Sequence, residues 1–168
     1  MNKIKFTWVI LFCSLISFFG VASPLTESQS SMVNVDNAYI RATIPGTSIS
    51  SSYMEIFNNS DHQVTLLAVT SNISSRIELH EHTMVDDMMR MRQIDSIEIK
   101  SKERVKLQPS GLHLMIFDVV KPLKPQQLVD LTLHFSNEKT LLIQVPVYSP
   151  IQEKALQKNM LGTHKHHH

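Results

Sequence analysis

The sequence predicts an all-β fold, either a sandwich or a barrel. Short segments rich in Val, Ile, Leu and Thr are separated by turn-forming residues about every eight to twelve positions, and no segment shows a convincing helical period. The predicted strands are Met32–Ala42, Ser51–Asn58, Gln63–Thr70, Ser75–Glu81, Met88–Ile94, Ile97–Ile99, Arg104–Leu107, Leu112–Val119, Gln127–Phe135 and Leu141–Val147.

The turns between these segments are short and carry the expected residue types. Asn58-Asn59-Ser60-Asp61 is typical of a tight hairpin link, and Lys121-Pro122-Leu123-Lys124-Pro125 of a stiff loop. Gln108-Pro109-Ser110-Gly111 predicts a turn that leads directly into the segment containing His113. Connections of this length join antiparallel strands, so we expect a mainly antiparallel sheet.

The N-terminus has the features of a secretory signal peptide. Lys3 and Lys5 precede an apolar run from Phe6 to Val21, and Gly20-Val21-Ala22 offers a small-residue cleavage site. We expect residues 1–22 to be removed after Ala22, which gives an exported, periplasmic protein.

Two alternatives for the N-terminus are weaker. A retained anchor is disfavoured because the apolar run is about 16 residues, shorter than the ~20 that span a bilayer comfortably. Lipid attachment at Cys13 is disfavoured because the residues before it are not small. We therefore expect no stable membrane anchor after cleavage.

The mature chain has the size of one domain. Residues 23–31 are polar and predict a flexible leader, residues 32–150 the β domain, and residues 151–168 a C-terminal tail outside the sandwich. The tail has a weakly amphipathic stretch over 151–161, and its histidines are His164, His166, His167 and His168.

Composition excludes several classes of function. The single cysteine, Cys13, is lost with the signal peptide, which excludes disulfides, thiolate metal sites and thiol redox catalysis. The formal net charge is +1, with acids and bases interleaved rather than gathered in a basic stripe. Nucleic acid is therefore not an expected partner.

Two separated stretches carry a set of soft metal-binding side chains. His80 is followed after ten residues by Met91, and after twenty-one more by His113 and Met115. Alternation along a strand places His113 and Met115 on one face, opposite Leu114. His80 closes its predicted strand, where a loop can carry it toward a partner. Neutral imidazole and thioether ligands suit Cu(I).

The loop predicted from Glu81 to Arg90 holds four more such residues. A single methionine in a strand is usually packing, and a single histidine is usually a surface residue. The combination of so many soft residues in two short stretches favours a metal site. We treat these four as auxiliary copper residues: His82, Met84, Met88 and Met89.

The spacing of His80, Met91 and His113-Leu114-Met115 resembles the signature of the periplasmic copper(I) chaperone family PCuAC, and it matches at every spacing. The similarity runs from about Val35 to Val147, with Ser110 as a departure where a second glycine is expected. The flanking matches are Ile77-Glu78-Leu79-His80-Glu81, Met89-Arg90-Met91-Arg92, Leu107–Leu112, Ser52-Tyr53-Met54 and Phe57-Asn58-Asn59.

The resemblance implies a fold, a ligand set and a partner. The fold is a cupredoxin-like, Ig-like antiparallel Greek-key β-sandwich. His80, Met91, His113 and Met115 would bind one Cu(I), which is delivered to apo-cuproproteins, chiefly the CuA centre in subunit II of cytochrome c oxidase. A second, thiol-containing copper chaperone is a further expected partner.

The tail histidines have three explanations. Natural His-rich tails bind Cu(II), Ni(II) or Zn(II) through imidazole nitrogen, and Cu(II) capture is the preferred interpretation here. A purification tag normally has six consecutive histidines, whereas His166–His168 supply three. An idle solvated tail is the third explanation.

Three other functions compete with copper delivery. A copper oxidase or reductase is disfavoured because the blue-copper pattern needs a cysteine that the mature chain lacks. No nucleophile motif accompanies the histidines, so enzyme activity is not expected. Periplasmic copper buffering or tolerance, and a non-metal β-sandwich interaction domain, remain as alternatives.

Overall fold

A computed structural model describes residues 32–85, 87–136 and 138–162. The predicted signal peptide, the leader over 23–31 and the four tail histidines lie outside the described residues. The described chain forms ten strands and one helix: β1 (Val33–Arg41), β2 (Ser50–Asn58), β3 (Val64–Thr70), β4 (Arg76–Val85), β5 (Met88–Ile94), β6 (Ile97–Ile99), β7 (Arg104–Leu107), β8 (His113–Phe117), β9 (Leu128–Phe135), β10 (Thr140–Tyr148) and α1 (Pro150–Gly162).

The strands form a β-sandwich of the cupredoxin-like type, which confirms the predicted fold class. The hydrogen-bonded order is β5-β4-β8-β2-β1-β10-β9-β3-β6, with β7 also paired to β2. The β1–β10 pair is parallel and joins the two layers, and the other strand pairs are antiparallel.

Alternation along the strands separates the core from the outer face of the β4–β8 layer. Leu79, Leu114 and Ile116 are buried in the apolar core between the layers. Their neighbours His80 and His113 therefore project from the opposite face. Both histidines are nevertheless buried, so other side chains on that outer face cover them.

Strand β4 is longer than the sequence predicted. The residues between the predicted strands Ser75–Glu81 and Met88–Ile94 were expected to form a loop, but β4 continues to Val85 and pairs with β5 as far as Met88. Only positions 86 and 87 separate the paired ends, and Asp87 has a φ of 58°, a conformation that aspartate tolerates better than most residues. The expectation that His80 ends its strand is therefore wrong.

Helix α1 was not predicted from helical period, but its start carries a recognisable signal. Ser149 and Gln152 form a capping box, in which the Ser149 hydroxyl accepts from the backbone N–H of Gln152 at 3.3 Å and the side-chain Oε1 of Gln152 accepts from the backbone N–H of Ser149 at 2.9 Å. Pro150 occupies the first helical position, where its missing N–H costs nothing.

The first turn of α1 contacts the sandwich. The buried carboxylate of Glu153 accepts hydrogen bonds from Tyr39 at 3.1 Å and from Arg41 Nε at 2.8 Å. Burial, followed by the nearby charge of Glu153, raises the pKa of Tyr39, so the phenol stays protonated and donates. The expectation that the chain after 150 lies outside the sandwich is therefore wrong for this turn.

The turn before β8 carries an unfavourable backbone conformation. Ser110 has a φ of 63°, in the left-handed region that favours glycine, which is the residue expected there from the family resemblance. We predict that Ser110→Gly raises the free energy of unfolding by about 0.5–1 kcal/mol, since relieved strain exceeds the added entropy of the unfolded chain. Urea unfolding measures this change. Ser110→Ala keeps the Cβ, and an equal gain in that variant would contradict the explanation.

Candidate metal centre

The centre lies where β5, β4 and β8 run side by side. His80 pairs directly with His113 between β4 and β8, and His82 pairs with Met91 between β4 and β5. Directly paired residues project from the same face, so register alone gathers these four side chains. The ring centroids of His80 and His113 are 5.9 Å apart, and those of His82 and His113 are 5.0 Å apart.

The tautomer of His113 is fixed by its hydrogen bond. Its Nδ1 lies 2.9 Å from the carbonyl oxygen of Gly111, so the ring proton sits on Nδ1 and is donated to that oxygen. The lone pair is therefore on Nε2, which lies 3.2 Å from the sulfur of Met91. Two electron-rich atoms face each other at this distance without a proton between them.

This pair of atoms fits a metal ion. At the bond lengths of tetrahedral zinc sites, about 2.0 Å to nitrogen and about 2.3 Å to sulfur, two ligand atoms lie roughly 3.5 Å apart. The observed nitrogen–sulfur distance of 3.2 Å is close to that spacing. A soft cation between the two lone pairs would turn a repulsive contact into two bonds.

His80 is oriented in a complementary way. Its Nε2 lies 2.8 Å from a carboxylate oxygen of Glu78, to which it donates, and Nδ1 is buried without a hydrogen-bond partner. A donated ring N–H on one side and a free lone pair on the other is the usual arrangement of a metal-binding histidine. The bond from His80, with Arg76 also nearby, holds the pKa of Glu78 below its usual range.

Met115 lies on the same face, beside the two histidines. It is two residues beyond His113 on β8 and pairs with Glu78 on one side and Ser51 on the other. Met115 is half-buried, and it lies on the same face of β8 as His113, as strand alternation predicted. His113 contacts Met91 directly. Met115 belongs to the next residue pair on the same face, Glu78 with Met115, beside the pair of His80 with His113.

Methionine sulfur can complete the ligand set that the histidines begin. Within the described residues, no three His, Cys, Asp or Glu side chains converge closely enough to hold a metal by themselves. His82 also has a buried Nδ1 without a hydrogen-bond partner, so the structure moves it from an auxiliary position to the immediate neighbourhood of His113.

The other auxiliary methionines divide between two faces of the hairpin. Met84 pairs with Met89 on the face that carries His82 and Met91. Met88 pairs with Val85 and projects from the opposite face. Met88 therefore does not lie with Met84 and Met89, with which the sequence analysis grouped it.

Two aromatic rings lie beside the histidines, the buried Tyr53 and the half-buried Phe117. The Tyr53 ring lies 6.3 Å from His113, and Phe117 lies 6.1 Å from His80. Burial lowers the pKa of His113 below its ordinary value, a shift that the Gly111 carbonyl opposes and that the nearby His82, His80 and Arg41 reinforce. The imidazole is therefore kept neutral and able to bind a cation.

Sequence reasoning missed Glu78 and the Gly111 carbonyl. Glu78 is two residues before His80 on the same strand, so alternation places both on one face and could have identified it. The Gly111 carbonyl also accepts from the backbone N–H of His82 at 3.3 Å, which ties β4 to the turn before β8. A backbone acceptor leaves no residue-type signal in the sequence.

Comparison with known proteins gives the family. Residues 33–147 match a family model described as "Putative lipoprotein LpqE-like". This chain belongs to the LpqE-like family. A relative from Leifsonia xyli subsp. xyli, "Putative lipoprotein Lxx21020", is 27% identical over 120 residues, which cover 71% of each chain.

Solved structures that are similar in fold include the PCuAC domains from PmoF1 and PmoF2. The copper-bound PCuAC domain from PmoF2 has a TM-score of 0.61 at 22% identity, over 71% of this chain and 94% of that one. The Cu(I) form of DR1885 from Deinococcus radiodurans has a TM-score of 0.60 at 23% identity, over 76% and 87%. At these identities the comparison establishes the fold.

Both lipoprotein descriptions indicate a protein exported to the cell envelope. No helix in the described part of the chain has the length and apolar character needed to cross a membrane.

Proposed function

We propose that this LpqE-like protein is a periplasmic copper(I) metallochaperone. It binds one Cu(I) through His80, Met91, His113 and Met115 and delivers it to apo-cuproproteins, chiefly the CuA centre of cytochrome c oxidase. The observation that carries the proposal is the unprotonated His113 Nε2 facing the Met91 sulfur at 3.2 Å. The PCuAC neighbours, which include copper-bound forms, support it.

The burial of the ligands gives a direction for release. His113 is only 3% exposed, whereas Met91 on the edge strand β5 is 48% exposed. An incoming thiolate therefore reaches the copper from the Met91 side and displaces that thioether first, with the buried histidines as the last ligands to leave. The two CuA cysteines are charged and softer donors, so transfer runs downhill, and no chemical turnover is required.

A deletion strain tests delivery. We expect loss of the protein to lower cytochrome c oxidase activity most strongly under copper limitation, with recovery on added copper. Complementation by the wild type should restore activity, whereas His113→Ala should not, and Met88→Leu is the matched control because Met88 faces away from the centre. Unchanged oxidase copper content in the deletion strain would favour copper buffering or tolerance instead.

The tail histidines form a separate Cu(II) site in this proposal, since imidazole clusters suit Cu(II) while thioethers select Cu(I). We predict that deleting the residues after Leu161 abolishes most Cu(II) binding and leaves Cu(I) affinity unchanged. Replacing His164, His166, His167 and His168 by Asn should reproduce the effect without shortening the chain. Loss of Cu(I) binding on truncation would show that the two sites are not independent.

A further inference from the structure

The β4–β5 hairpin carries a second group of soft donors beyond the four-ligand set. Met84 pairs with Met89, and the next pair on the same face is His82 with Met91. Directly paired residues have Cβ atoms about 4.5–5.5 Å apart, and residues two apart on a strand follow one another at about 7 Å. The four side chains therefore form one continuous patch that leads from the hairpin end to His113.

Packing does not explain the outer two methionines. Met84 is 63% exposed and Met89 is 54% exposed, so neither gains much from burial. Strand β5 ends the sheet order, and the charged residues that protect such an edge are Arg90 and Arg92 on its other face. A directly opposed pair of thioethers at that edge needs another reason.

The neighbouring imidazole supplies a third donor. The ring of His82 stacks on His113 at 5.0 Å, and its Nδ1 is buried without a hydrogen-bond partner. Met91 is not free to serve the outer pair, because its sulfur lies 3.2 Å from His113 Nε2. His82 is the donor that lies between the outer methionines and the inner centre.

We propose that Met84, Met89 and His82 hold a second Cu(I) at the outer end of the hairpin, separate from the position at His113 and Met91. Two thioethers and an imidazole are neutral, soft donors that favour Cu(I) over Mg²⁺ or Ca²⁺. The choice of Cu(I) as the metal rests on the proposed function. The placement of the three donors on one face follows from the register of the β4–β5 hairpin.

Methyl NMR of methionine-labelled mature protein, titrated anaerobically with Cu(I), tests both positions at once. The first equivalent should shift the Met91 and Met115 methyl signals, and the second should shift those of Met84 and Met89 together with the His82 ring protons. Met88 is the internal control: it lies in the same hairpin and is 53% exposed, but it faces the other way.

Variants give the matching affinity test. Met84→Leu with Met89→Leu should lower affinity for the second equivalent at least tenfold and leave the first unchanged, whereas Met88→Leu should change neither. Unmoved Met84 and Met89 methyls at two equivalents, or an unchanged second affinity in the double variant, would overturn the inference and leave the inner centre intact. Failure of Met91 to respond to the first equivalent contradicts the proposed function, whatever the outer methionines do.

Discussion

His113→Ala should weaken Cu(I) retention against a competing chelator by at least an order of magnitude, about 1.4 kcal/mol or more. The variant removes the Nε2 that faces the Met91 sulfur and leaves a three-ligand remnant with an open position. Because His113 is buried between Tyr53 and His82, the substitution also opens a gap that water can enter.

Two controls separate ligand loss from general damage. His62→Ala changes an exposed histidine outside the centre and should leave Cu(I) affinity unchanged. Met91→Leu preserves volume but removes the sulfur, so it should weaken binding while the folded domain stays intact. Equal Cu(I) retention by the wild type and His113→Ala would contradict the assignment of the centre.

Cu(I) affinity should fall as the pH drops from about 7 to about 5, a range that begins above the ordinary histidine pKa of about 6.5 and ends below it. Protons compete with copper for imidazole nitrogen, whereas thioether sulfur does not titrate. Two histidine ligands make the loss steeper than one proton per copper, and we expect roughly two orders of magnitude between about pH 7 and pH 5. Chelator competition at a series of pH values measures this loss.

The lowered pKa of His113 determines the pH at which Cu(I) affinity begins to fall. Burial disfavours the charged ring in the folded protein, so the proton competes for Nε2 only at a lower pH than in an exposed histidine. The same shift means that the unfolded chain binds more protons just below about pH 6.5, so the metal-free protein loses stability as the pH falls through that range. A flat Cu(I) affinity down to pH 5 would indicate that methionines alone hold the metal.

Much of the fold followed from sequence pattern because strands of period two and short turns are local features. Leu79, Leu114 and Ile116 alternate with the candidate ligands, so their burial and the shared face of His113 and Met115 were predictable. Helix α1 was not predicted because it has no clear apolar stripe, although the segment Ser149-Pro150-Ile151-Gln152 contains a capping box.

The arrangement of the auxiliary residues depends on pairing register, which the sequence does not show. Where β4 turns back into β5 decides which residues face His113, since a shift by one residue moves every side chain to the other face. The observed turn brings His82 against His113 and sends Met88 to the opposite side of the hairpin. Spacing along the chain alone could not separate these outcomes.

X-ray absorption of the mature protein loaded with one equivalent of Cu(I) tests the four-ligand copper centre, because it counts the neighbours of the metal. We expect a mixed shell of two nitrogen and two sulfur atoms, from His80, His113, Met91 and Met115, and the loss of one sulfur in Met91→Leu. A shell of nitrogen and oxygen without sulfur, or of sulfur without nitrogen, would contradict it.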